Sequence, residues 1–133
     1  METVTLKDLM NYKALKGEIE TTRVLAQQYR EQALSITQQF SDMPGAHSAS
    51  DKIGKLVSIY TDLEAKAQEK EEQSTPELRR IELYIASIPD AITRQIFILR
   101  FEMGMDWKDV ATETRNSEDG VKKRCYRYIT AQQ

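Results

Sequence analysis

Residues 121–133 carry Lys122, Lys123, Arg124 and Arg127 and no acid, a local balance of +4 in a chain whose formal net charge is −2. Cations clustered on one short helix can hold the phosphates of a polyanion. Just upstream lie Lys108, Arg115, Asn116, Ser117, Glu118 and Asp119. Their donors, acceptors and charges suit contacts to phosphates or base edges. The plain alternative is a solvated helix end whose cations complement the helix dipole. Other chemistry has little to stand on. The chain has no phosphate-cradling glycine loop, dinucleotide fingerprint, zinc-protease motif or nucleophile elbow. Asp106 and Asp109 read better as acids of a helix start than as a catalytic pair. Cys125 reads as a small core residue, and Trp107 as a core aromatic. One cysteine excludes an internal disulfide and a multi-cysteine zinc site, and the single His47 has no partner at ligand spacing. Neither catalysis, a metal nor a cofactor is expected.

What must position the cationic residues is a run of three short helical patterns between Ile88 and Ile129. The first is Ala91–Phe101, with apolar Ile92, Ile96, Phe97, Leu99 and Phe101. It breaks at Glu102–Met105, where Gly104 can take a positive φ. The second, Asp106–Glu113, opens on an aspartate that can cap free N–H groups. After Thr114, Arg115 and Asn116, Ser117 caps a third helix with Glu118 and Asp119 in its first turn. Val121, Cys125 and Tyr128 form its inner face. Val110 and Val121 should point inward, with Ala111 small where the helices cross. A short helix, a three-residue turn and a cation-bearing helix make a helix-turn-helix pattern.

The runs Arg94–Phe101, Gly104–Ala111 and Ser117–Arg127 resemble region 4 of the sigma factors. The likeness covers about the last third of the chain. Two places depart from the family pattern. Thr114, Arg115 and Asn116 stand where a Leu-Gly-Val/Ile plug is usual, and Gly120 stands where Thr is usual. A wider likeness rests on Ser41–Gly45, Asp51–Val57 and Asp62–Glu64. It is to small phage and prophage proteins of Gram-positive hosts, related in architecture to the RinA/ArpU-type late-gene activators. The resemblance implies a transcription activator or accessory factor that docks its last helix in the major groove of duplex DNA. Lysines and arginines would hold phosphates, with Glu118, Asp119, Lys122 and Lys123 near base edges. It also implies RNA polymerase as a partner. No aromatic promoter-melting segment is present, so a stand-alone sigma factor is not implied. Two other readings stay open: a DNA-packaging protein of small-terminase type, and an interaction module that never meets DNA.

The rest of the 133 residues, 40% hydrophobic and 30% charged, suits a helical protein of limited core. Residues 1–73 hold nine Lys/Arg against twelve Asp/Glu. In residues 5–40, Tyr12, Leu15, Ile19, Thr22, Ala26, Tyr29, Ala33, Ile36 and Phe40 make a heptad stripe. Ser41–Ser50 reads as a loop. A second stripe, Ile53, Leu56, Tyr60, Leu63 and Ala67, starts near Asp51. Leu78, Ile81, Ile85 and Ile88 resume it in phase, after a start signal at Ser74–Glu77 that includes Pro76. The second helix therefore either runs through with a kink or breaks and restarts. The expected architecture is all-α: a long antiparallel, coiled-coil-like hairpin over 1–74, then a sigma region-4-like helix-turn-helix domain over 75–133. The stripes can pair within one chain or between chains, and a homodimer is expected. With no apolar run near the ~18 residues of a membrane span and no signal peptide evident, the expected compartment is the cytoplasm.

Overall fold

A reciprocal capping box opens the first helix. Asp8 N–H donates to Thr5 Oγ1 at 3.2 Å, and Thr5 N–H donates to Asp8 Oδ2 at 3.0 Å. The Thr5 N–H bond foremost, and then Arg80 and the Thr5 side chain, hold the Asp8 carboxylate below its usual range against the opposing effect of burial. From there α1 runs Leu6–Phe40 and α2 runs His47–Ala86. The computed structural model describes residues 3–40 and 47–132. The expected loop is outside the described residues at 41–46, as are the side chains of Phe40 and His47, while 47–50 already belong to α2. After α2 come α3 (Ala91–Phe97), a π-helical turn (Ile98–Glu102), α4 (Trp107–Thr114) and α5 (Glu118–Ala131). No strand occurs among the described residues.

Of the two courses open to the second helix, the structure takes the continuous one, with Pro76 inside it. Proline removes one backbone bond and crowds the preceding turn, at about 3 kcal/mol. Buried Leu78, Ile81 and Ile85 follow within three turns and hold the helix in line. It stops at Ala86, just ahead of Ile88, whose proline neighbour disfavours the α region. Arg94 Nη1 donates to the carbonyl of buried Ile88 at 2.6 Å.

Backbone contacts divide the chain into two units. One is Glu18–Gln73, a pair of antiparallel helical segments. Ile19, Ala26, Ala33, Leu56 and Ala67 are buried along its seam. Thr22, Tyr29, Ile36, Ile53, Tyr60 and Leu63 are half-buried beside them, so the described members of both stripes face inward as their spacing indicates. The register is marked by Arg23–Glu71 at 2.5 Å, Arg30–Glu64 at 2.6 Å and Lys70–Glu18 at 3.3 Å. Arg30 also lies 4.6 Å above the Tyr60 ring. These pairs are exposed, so they select the register more than they stabilise it.

The other unit joins the described residues up to Gly17 with those from Ser74 onward. The sequence-based division at 74/75 places that first segment with the hairpin. Val4, Leu9 and Tyr12 are instead buried in the same body as Ile81, Ile85, Ile88, Ile96, Phe97 and Phe101. Tyr12 Oη donates to Glu82 at 2.9 Å, and Arg80 reaches both Asp8 at 3.3 Å and the Thr3 carbonyl at 3.4 Å. Burial, reinforced by Glu82, pushes the Tyr12 hydroxyl far above its ordinary value.

The first of the three short patterns is not one α-helix. Ile98–Glu102 is a π turn, closed by Met103 N–H to the Ile98 carbonyl at 2.9 Å. The wider turn leaves Phe97 and Phe101 both buried, with ring centroids 5.5 Å apart. Ile92, expected on the apolar face, is 43% exposed. Glu102, at the end of the π turn, is held above the usual carboxylate range by burial and by Glu82.

Candidate nucleic-acid interface

α4 and α5 are set by their caps. Asp106 stands before α4 rather than inside it, accepting from Asp109 N–H at 2.8 Å. Ser117 caps α5, its Oγ accepting from Gly120 N–H at 2.9 Å. A Cβ at position 120 would lie 2.8 Å from that Oγ, so glycine there leaves the cap its room. α4 closes with the paired bonds of a Schellman ending. Asn116 N–H donates to the Ala111 carbonyl at 3.0 Å, and Arg115 N–H to the Thr112 carbonyl at 3.3 Å. Asn116 adds an Nδ2 bond to the Thr114 carbonyl at 2.8 Å. The geometry requires a left-handed residue, and Arg115 supplies it at φ 57, ψ 43. For a side chain with a Cβ that conformation costs about 1 kcal/mol. The expected glycine is absent, yet its backbone shape is kept.

The inner sides of the two helices meet as their spacing predicts. Val110, Ala111, Val121 and Cys125 are buried. Ile129 completes the inner face of α5, with Tyr128 only half-buried at its margin. Tyr128 still packs on Phe97 at 5.6 Å and on Tyr84 at 6.2 Å. Burial pushes the Cys125 thiol up to about 12, against a weaker pull from Arg100, so it remains a protonated core group.

The outer side holds the ten candidate residues, and the structure sorts them. Lys122 pairs with Glu118 at 3.3 Å and Lys123 with Asp119 at 2.8 Å, each one helical turn along α5. Lys123, by hydrogen bond and charge, holds Asp119 below the usual carboxylate range. Arg124 is drawn aside to Asp90 at 2.9 Å. That carboxylate also caps α3 through Thr93 N–H at 3.0 Å and Thr93 Oγ1 at 2.7 Å. The two Thr93 bonds, and then Arg124, hold Asp90 below the ordinary range. Lys108, Arg115 and Arg127 make no ion pair among the described residues and are exposed. Asn116 and Ser117 are spent on the turn and the cap. Residues 106–133 hold six Lys/Arg and five Asp/Glu. The +4 of the terminal run is thus largely offset by the acids of α4 and of the first turn of α5.

One arrangement has no signature in the spacing of the sequence. The Arg100 guanidinium lies 4.6 Å from the Trp107 ring centre, and Tyr126 meets the ring's edge with centroids 6.0 Å apart. Arg100 Nη1 also donates to the Met105 carbonyl at 3.0 Å. Trp107 is therefore half-buried and bracketed rather than a core aromatic. Among the described residues no group of His, Cys, Asp and Glu could hold a metal, and no helix is long and apolar enough to cross a membrane.

No family model matches the chain, and comparisons with curated proteins and with solved structures find no match.

Proposed function

We propose that the chain is a phage-type transcription regulator, an activator or accessory factor, that binds duplex DNA with α4 and α5 as a helix-turn-helix. The carrying observation is the junction. A Schellman ending and a serine cap fix two helices three residues apart, and α5 turns cations outward from a buried Val121–Cys125 face. The sequence likeness to sigma region 4 supports the same reading and adds RNA polymerase as a partner. In it α5 enters the major groove. Lys108, Arg115, Lys122, Lys123 and Arg127 hold phosphates, and Glu118 and Asp119 lie near base edges.

The test is a gel-shift titration over several salt concentrations. Lys122→Ala/Lys123→Ala should weaken binding and make the salt dependence shallower by roughly 1 for each phosphate no longer held. Its circular dichroism should match the parent, because exposed ion pairs one turn apart are screened by solvent and add little to a helix held by tertiary packing. Unchanged affinity, on a fragment that the parent binds, removes the docking model. The near balance of charge on α4 and α5 favours a second reading, an interaction module without DNA. Absence of duplex binding even at low salt would select it.

The proposal includes a homodimer. Within Glu18–Gln73, Val24, Leu25, Leu34, Val57 and Ile59 are each 37–56% exposed, more apolar surface than a two-helix seam covers. Light scattering over a concentration series should give the mass of two chains. A one-chain mass throughout eliminates the dimer, and with it paired half-sites on DNA.

A further inference from the structure

Among the described residues, Arg115 is the one non-glycine residue with positive φ. It sits where glycine would close the turn without strain. Three bonds fix the backbone around it: its own N–H to Thr112, Asn116 N–H to Ala111, and Asn116 Nδ2 to Thr114. The guanidinium itself is exposed and has no ion-pair partner among the described residues. Lys122, Lys123 and Arg124 differ, each facing a carboxylate at 3.3, 2.8 and 2.9 Å. Those three must exchange a carboxylate for any phosphate they take; Arg115, like Lys108 and Arg127, gives up only water, and of these it alone stands on the fixed left-handed turn between α4 and α5.

We infer that Arg115 is the principal phosphate anchor of this site, a guanidinium rooted in a fixed, strained turn that grips a DNA backbone phosphate. The inference rests on the DNA-binding reading above. Guanidinium chemistry suits the role because its fork can meet two phosphate oxygens at once, which a lysine cannot do. A strained backbone is retained where something else requires the residue. Here the retained feature is a charge at the junction of the two helices.

Arg115→Gly, Arg115→Lys and Lys123→Ala, compared on a mixed-sequence duplex over a salt series and by thermal melting, test the inference. Arg115→Gly should melt ~2–6 °C higher as the left-handed turn relaxes. It should also bind roughly tenfold more weakly, with a salt dependence shallower by about 1. Arg115→Lys should keep the salt dependence, which follows charge, while losing affinity. Lys123→Ala, and Arg127→Ala measured beside it, should each lose less affinity than Arg115→Gly. A stabilised Arg115→Gly that binds as tightly as the parent overturns the anchor and leaves the DNA-binding reading standing. A parent chain that binds no duplex overturns both.

Discussion

Replacing Phe97 by alanine lowers the stability of the folded chain by about 3–5 kcal/mol. The ring has no exposed surface and touches three others, Tyr84 at 6.3 Å, Phe101 at 5.5 Å and Tyr128 at 5.6 Å. Those partners belong to α2, the π turn and α5. One truncation therefore loosens three elements and leaves a cavity that none of them can close alone. Burial holds the neighbouring Tyr84 hydroxyl up to about 12, and its oxygen has no hydrogen-bond partner among the described residues. The site thus has little polar structure to fall back on. Urea unfolding gives the measurement: a lower midpoint at unchanged slope for Phe97→Ala, and a much smaller drop for Phe97→Leu. Equal midpoints for Phe97→Ala and the parent would show that this ring is not at the centre of the core.

The second large effect is expected from removing residues 1–17. Val4, Leu9 and Tyr12 are each 5% exposed or less, and burying such a side chain contributes about 1.5–3 kcal/mol. Arg80 also loses Asp8 and the Thr3 carbonyl, and Glu82 loses the Tyr12 hydroxyl. The loss comes to about 5 kcal/mol or more, comparable to the whole stability of a small domain. A chain starting at residue 18 should therefore show poorly dispersed amide resonances for residues 74–132. A sharp, cooperative melt with native dispersion would mean that the C-terminal elements are self-sufficient, as the sequence-based division at 74/75 has them.

That division shows where sequence reading stops. The 3,4 stepping of Tyr12 through Ile36 tells which face of α1 is apolar. It does not tell that the first part of that face packs with elements from Ser74 onward while the remainder faces α2's middle. Caps are legible because they are chemical and local: Ser117 and Asp106 read directly, and the Thr5–Asp8 box, absent from the sequence-based reading, has the same kind of spacing. The pairs Glu118–Lys122 and Asp119–Lys123 likewise lie one helical turn apart in the sequence. Arg124–Asp90 spans 34 positions and carries no local signature. Pro76 is ambiguous for a different reason. The rule that proline breaks a helix is a local cost, and the buried side chains that follow outweigh it. The π turn and the left-handed Arg115 are illegible, since each is a backbone solution to a packing demand made elsewhere.

The pairing of Lys122 and Lys123 with acids of α5 itself, within the nearly neutral span 106–133, also bears on kinetics. A region with six cations and five anions casts almost no long-range field. A polyanion approaching it is not steered, so encounters run near the unassisted rate of about 10⁵–10⁶ M⁻¹s⁻¹ and slow little as salt rises. Whatever selectivity this surface has is then expressed after the encounter, in how long a partner stays, as carboxylates on α5 are traded for groups on the partner.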